Sequence, residues 1–235
     1  MIVWVNMNIF DGIQLPKIIY ETDSKYNGKV QVWEVGKTRK IKVDKIDQSI
    51  SHKSPSANRL VWGKVIEVLE ENAPDLKNIL ILGLGGGTMA HLISEKFNAP
   101  RIVSVEIDPV MVDIAKKYFD LDSVPNHRII IDDALRVVVE PEEFDLKPES
   151  FNVCIVDIFQ GEKYPDLGKS GNFITSVKKM VRPGGLLIFN RIYLDYHQDD
   201  VNIFIEYLGD FLQNVTCLVV AGYTNSDNVL IYGKV

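Results

Sequence analysis

Cysteine is scarce in this chain, with two among 235 residues. Cys154 and Cys217 each sit inside an apolar, strand-like run (Phe151 to Val156 and Val215 to Val220), where a free thiol behaves as a small hydrophobe. That pattern argues against a disulfide scaffold and against a cysteine nucleophile. Histidine is almost as sparse. His52, His91, His127 and His197 stand singly, with no two at the spacing of a helical metal pair, so no metal site is expected. Long hydrophobic runs are missing too: nothing approaches the roughly 20 apolar residues of a membrane helix. The opening residues, Met1-Ile2-Val3-Trp4-Val5-Asn6, lack a basic segment followed by an apolar core. A cytoplasmic protein with no membrane partner is expected. Excess positive charge is also absent. A formal charge of −6 argues against a general nucleic-acid surface, and the basic run Lys37-Thr38-Arg39-Lys40-Ile41-Lys42 reads as a solvated strand or turn.

What the chain does have is apolar content, 46% of its residues, enough for one main domain and a small extra module. Residues 17 to 48 alternate in short runs broken at Asn27-Gly28 and Gly36-Lys37, a pattern that predicts a small antiparallel β-meander. A polar loop, Ser49 to Ala57, leads to a predicted helix Asn58 to Glu71 with Leu60, Val61, Val65, Val68 and Leu69 on one face. From Asn78 strands and helices alternate: strands Ile79 to Leu82, Arg101 to Glu106, Arg128 to Ile131, Phe151 to Asp157 and Leu186 to Asn190, with helices between them. Such alternation calls for a parallel sheet covered on both faces. Two final runs, Thr216 to Val220 and Asn228 to Tyr232, read as a terminal antiparallel pair. The boundary falls between a β-module, residues 1–57, and a nucleotide-binding domain, residues 58–235.

In an open parallel sheet, ligands lie beyond the carboxyl ends of the strands. Four strand ends carry suitable groups. The first bears Gly83, Gly85 and Gly87, which let the backbone turn and approach a ligand. The second bears Glu106, which can accept from two ribose hydroxyls; the third bears Asp132 and Asp133; the fourth bears Asp157. Any one of these carboxylates could be a turn residue or N-cap, Asp132 above all. Four in register at one edge point to a nucleotide-type ligand. A dinucleotide oxidoreductase fits less well, because Thr88 stands where G-x-G-x-x-G needs its third glycine.

With these segments the sequence resembles a class I S-adenosylmethionine-dependent transferase, and more specifically the spermidine synthase (polyamine aminopropyltransferase) family. The resemblance runs from about Ile18 to Val235. It is carried by Tyr26 to Val30, Asp47-Gln48-Ser49, Ile79 to Gly87, Val105 to Pro109, Lys116 to Phe119, Ile131 to Ala134, Phe151 to Asp157 and Arg182-Pro183-Gly184-Gly185. It implies an α/β fold: a Rossmann-like seven-stranded methyltransferase sheet, mostly parallel with its last strand antiparallel, preceded by a small N-terminal antiparallel β-module. It also implies a homodimer, and S-adenosylmethionine or its decarboxylated form as cofactor. By position Glu106 would hold the ribose, Asp133 the adenine amino group and Gln48 the sulfur side.

Three positions depart from the family pattern. Gly86 stands where synthases carry an aspartate, Trp62-Gly63 where they carry a Tyr-His pair, and Gln160 where they carry the aspartate that deprotonates the attacking amine. A cationic amine needs carboxylates and a base, whereas methyl transfer from a sulfonium rests largely on placement. The leading expectation is therefore methyl transfer to a small-molecule acceptor, with Asp157, Gln160 and Tyr164 as candidate catalytic residues and Asn190 close to the acceptor. Aminopropyl transfer is the alternative, and a non-catalytic binding or scaffold homologue is the second alternative.

Overall fold

The computed structural model describes residues 15–43, 46–159, 170–194, 198–221 and 226–235. Four strands come first, β1 (Lys17–Ser24), β2 (Gly28–Val35), β3 (Thr38–Val43) and β4 (Ile46–Ile50), paired antiparallel in that order. This is the expected meander. Its turns are fixed by Gly28 and Gly36, both at φ +61°, a left-handed conformation that strains any residue with a Cβ. The loop expected from Ser49 starts later: Ser49 and Ile50 continue β4 opposite Ile41 and Lys40. Ser49 is buried despite its polarity, so composition alone misplaced the strand end. The basic run lies on β3, where Arg39 pairs with Glu34 while Lys40 and Lys42 both pair with Asp47.

A short 3-10 turn (Ala57–Arg59) leads to α1 (Val61–Asn72), and the alternating region follows as β5 (Asn78–Leu82), α2 (Thr88–Lys96), β6 (Arg101–Glu106), α3 (Pro109–Phe119), β7 (His127–Ile131), α4 (Ala134–Val139) and β8 (Phe151–Val156). After it come α5 (Gly171–Met180), β9 (Val181–Leu194), α6 (Gln198–Leu208), β10 (Gln213–Val220) and β11 (Ser226–Lys234). The seven strands form one sheet in the order β10-β11-β9-β8-β5-β6-β7. Strands β5 to β9 run parallel, and β11 is antiparallel to both its neighbours. The last two runs do pair antiparallel, but β11 inserts between β9 and β10. Thus β10 is the sheet edge, which is why Cys217 is exposed rather than packed away. Cys154, in the middle of β8, is buried, and that burial pushes its thiol pKa up.

Period-two alternation divides the sheet's side chains between two cores. Ile79, Ile81, Val153, Ile155, Leu186 and Ile188 face α1 and α2; Leu80, Leu82, Cys154, Val156, Leu187 and Phe189 face α4, α5 and α6. Each buried side chain of this size stabilises the fold by about 1.5–3 kcal/mol. Strand β9 begins earlier than expected. Its Arg182-Pro183-Gly184-Gly185 segment bulges out of the ladder with β8, with Gly184 at φ +73°. Among the described residues no helix is long and apolar enough to cross a membrane.

The meander packs on α3: Val30, Val32, Ile41 and Val43 meet Met111, Ile114 and Phe119. A buried carboxylate fastens the two parts. Asp108 caps α3 by accepting from the Val110 N–H at 2.9 Å, and it also accepts from the Ser24 hydroxyl and, at 2.6 Å, from Asn27 Nδ2. Substituting Asp108→Ala removes a cap, worth about 1 kcal/mol. It also strands donors whose loss of a partner costs about 1–3 kcal/mol. Expected is a drop of roughly 2–4 kcal/mol in unfolding free energy, read from a urea titration, with β1 and β2 the first strands cut by protease.

Candidate functional site

Strand order reverses between β5 and β8, and helices leave the sheet on opposite faces there. The strand ends on either side splay apart at such a point. A cavity of about 390 Å³ lies in this place, within the range of small-ligand sites. Gly83, Gly85, Glu106, Asp132, Asp133 and Asp157 line it from the sheet, and Gln48 lines it from β4 of the meander. Seven of the sequence-derived positions are thus brought together. Gly87 is not on the wall: it caps α2 at φ +77°, with Leu121 Cδ1 where a Cβ would go. Gln160 and Tyr164 lie outside the described residues.

The glycine turn is dictated by what surrounds it. Gly83 has φ +100°, and a Cβ there would overlap the Asp157 carbonyl oxygen. Gly86 faces the meander: a Cβ would stand 2.9 Å from Ser49 Oγ, 3.1 Å from Ser49 Cβ and 3.2 Å from Ile41 Cδ1. Ser49 Oγ is also 2.8 Å from Thr88 Oγ1, which donates in turn to the Ile50 carbonyl. The meander therefore closes directly over the turn.

Glu106, at the end of β6, is held by backbone donors of Leu84, Asp108 and Gly85. Leu84 N–H reaches Oε2 at 3.1 Å and Asp108 N–H reaches Oε1 at 3.0 Å. A carboxylate has about four lone-pair sites, so capacity remains for a ligand hydroxyl. Burial raises the Glu106 pKa and the backbone donors pull it back. The capping role weighed for Asp132 belongs to Asp133, whose Oδ1 accepts from Leu135 N–H at 2.8 Å. Asp132 accepts instead from the Asp133 N–H at 2.8 Å and from Arg136 Nη1 at 2.6 Å. Asp157 ends β8. Its Oδ1 accepts from Asn190 Nδ2 at 2.7 Å, and burial raises its pKa to about 6.

Asn228, on β11, also lines the cavity; it carries no sequence motif, and only the inserted strand brings it there. Asp47, Tyr26 and Asn27 reach the wall from the meander, and Trp62, where synthases carry the first residue of Tyr-His, lines it from α1. Among the described lining residues there are five carboxylates and no Lys, Arg or His.

Two histidines expected to stand apart are brought together. His52 stacks on His91 with ring centroids 3.7 Å apart and 15° between planes, and one ligand atom from each lies within 4.8 Å of a Glu95 oxygen. Nearly parallel rings aim their in-plane lone pairs side by side rather than at one point. His91 Nε2 bonds the Phe119 carbonyl at 3.0 Å, and burial lowers its pKa to about 4. The pair packs the segment after β4 against α2, across 39 residues of chain that no spacing rule spans.

Strand order, the single antiparallel strand and a carboxylate-lined cavity at the switch point define the class: this is the fold of the class I S-adenosylmethionine-dependent transferases. Within that class, the chain belongs to the spermine/spermidine synthase domain family, whose model matches residues 64–234. The polyamine aminopropyltransferase of Vibrio vulnificus is 32% identical over 117 residues, 50% of this chain and 38% of that protein. The eEF1A lysine and N-terminal methyltransferase homolog of Drosophila pseudoobscura pseudoobscura is 30% identical over 122 residues, 51% of this chain and 18% of that protein. The chain thus spans well under half the length of these two relatives. Among solved structures, a probable spermidine synthase from Corynebacterium glutamicum superposes with a TM-score of 0.73 at 18% identity, covering 93% of this chain and 80% of that one. Human methyltransferase-like protein 13 in complex with SAH gives 0.59 at 21% identity, covering 77% and 82%.

Proposed function

We propose that this protein transfers the methyl group of S-adenosylmethionine to a small-molecule acceptor. The residues present fit such a cofactor. Glu106, Asp133, Gln48 and Asp157 all line the cavity; on the family pattern Glu106 would take the ribose hydroxyls, Asp133 the adenine amino group, Gln48 the sulfur side and Asp157 the cofactor's amino group. When bound, the cofactor supplies a carbon already activated by its sulfonium, so the protein's part is mainly placement.

The observation that carries methyl over aminopropyl transfer is Gly86. No carboxylate stands at this place in the turn, and a Cβ added there would crowd Ser49 and Ile41, so restoring the group that grips the aminopropyl end requires those side chains to shift. One observation favours the second reading, aminopropyl transfer. A wall with five carboxylates and no described cation suits the decarboxylated cofactor, which carries one more net positive charge.

Calorimetric titration with S-adenosylmethionine, its decarboxylated form and methylthioadenosine separates them. Tighter binding of the intact cofactor is the expected result. Preference for the decarboxylated form would overturn the methyl reading in favour of polyamine chemistry, and no binding by any of the three would leave a non-catalytic homologue.

A further inference from the structure

Asp157 is not an isolated carboxylate. Its Oδ1 accepts from Asn190 Nδ2 at 2.7 Å, and Asn190 Oδ1 accepts from Asn228 Nδ2 at 3.0 Å. Asp157 directly follows β8, Asn190 and Asn228 lie on the adjacent strands β9 and β11, and all three line the cavity. Register explains why they meet. Leu230 of β11 sits opposite Asn190 of β9, so Asn228, two residues away, shares its face as the diagonal neighbour. Asp157 directly follows Val156, which pairs with Phe189.

Chemistry fixes the direction of this chain. An ionised carboxylate only accepts, so Asn190 must turn its NH2 toward Asp157 and its oxygen away. That oxygen is buried with the residue and needs a donor, which Asn228 provides. Without it, that buried oxygen is left unpaired, and Asn190 can satisfy it only by turning over to accept from a protonated Asp157, so losing the Asn228 donor favours the uncharged carboxyl. We propose that Asn228 is a positioning residue: by locking the Asn190 amide, it keeps one oxygen of Asp157 occupied and presents the other to the ligand.

The surrounding charges do not supply this role. Among the described residues, the other titratable groups on the cavity wall are Tyr26, Asp47, Glu106, Asp132 and Asp133. Asp47 is paired with Lys40 and Lys42, and Asp132 with Arg136. On β9 the next residue, Arg191, lies over the Phe204 ring at 4.7 Å, on the other face of the strand. Among the described residues, the attraction that opposes burial at Asp157 is the Asn190 hydrogen bond.

The test titrates the side-chain carboxyl of Asp157 by carbon-13 NMR in the ligand-free protein, with Asp157→Asn used to assign the signal. Asn228→Leu, close in size, and Asn228→Ala should each raise the Asp157 pKa by about one unit, a tenfold change in the protonation equilibrium. Asn228→Gln, which keeps a donor amide, should restore part of the shift. The same substitutions made on Asn190→Ala should add nothing, because the route through Asn190 is already cut. An unchanged Asp157 titration in both Asn228→Leu and Asn228→Ala would overturn the proposal, as would full additivity with Asn190→Ala.

The consequence for binding rests on the cofactor reading above. In that case Asn228→Leu lowers affinity for S-adenosylmethionine roughly threefold at pH 6.5 and recovers it by pH 8.5, where Asp157 is ionised in both proteins. A shifted titration in a protein that binds no cofactor would sink the cofactor reading and leave the positioning role intact.

Discussion

Replacing Glu106 by glutamine is expected to weaken S-adenosylmethionine binding by roughly two to three orders of magnitude while the protein stays folded. Hydrogen bonds to a charged group contribute about 1.5–3 kcal/mol each, and two ribose hydroxyls would lose theirs, at about 1.4 kcal/mol per tenfold in affinity. The amide also fits poorly. Both Glu106 oxygens accept from backbone N–H groups, those of Leu84 and Asp108, so a glutamine NH2 must face one donor with another. Stability should change little, because removing a charge whose burial is unfavourable offsets that mismatch. Calorimetry for binding and a denaturation curve for stability check both halves. Undiminished affinity in Glu106→Gln would show that the ribose is held elsewhere.

Asp157→Asn is expected to have opposite effects on stability and on binding. The carboxyl titrates at about 6 against an ordinary 3.8, because burial disfavours its charge and the Asn190 donor only partly compensates. A folded-state pKa above the unfolded value means the group's contribution to stability is whole below about pH 4 and is lost as pH rises through about 6. At pH 8 the ionised Asp157 therefore costs the ligand-free fold roughly 2–3 kcal/mol, at 1.36 kcal/mol per pKa unit. The asparagine variant should be more stable than the parent by up to that amount at pH 8 and equal to it at pH 4. It should also bind the cofactor at least tenfold more weakly. Urea unfolding of both proteins at the two pH values is the measurement, and a stability difference independent of pH would count against a buried, ionisable Asp157. Such a trade of stability for function is common at binding sites.

The parts of this site legible in the sequence are those that local geometry writes. A glycine turn after a buried strand, an acid at the next strand end and an Asp-Asp pair before a helix all follow from strand and cap rules. What was not legible depends on pairing distant in the chain. Asn228 reaches the wall because β11 inserts beside β9, and nothing in its own neighbourhood marks it. Asp108 reads locally as a helix cap, yet its clamp on Ser24 and Asn27 spans more than 80 residues. The His52–His91 stack needed the packing of β4 on α2. The helix cap falls on Asp133 rather than Asp132 because a shift of one residue decides which carboxylate meets the helix N–H groups, a precision that composition does not carry.

The insertion of β11 also dictates when the site can exist. A nascent polypeptide that has emerged only as far as β10 can build β5 through β9 in register, since each pairs with a strand already made. Its β10 has no neighbour to pair with, and Asn190 has no donor for its oxygen. The carboxylate of Asp157 is then held by an amide whose oxygen has no donor from β11. Synthesis must pass residue 226 before the ligand cavity acquires its final wall, so a ribosome-bound intermediate would hold the sheet's parallel centre in place with the binding site still open.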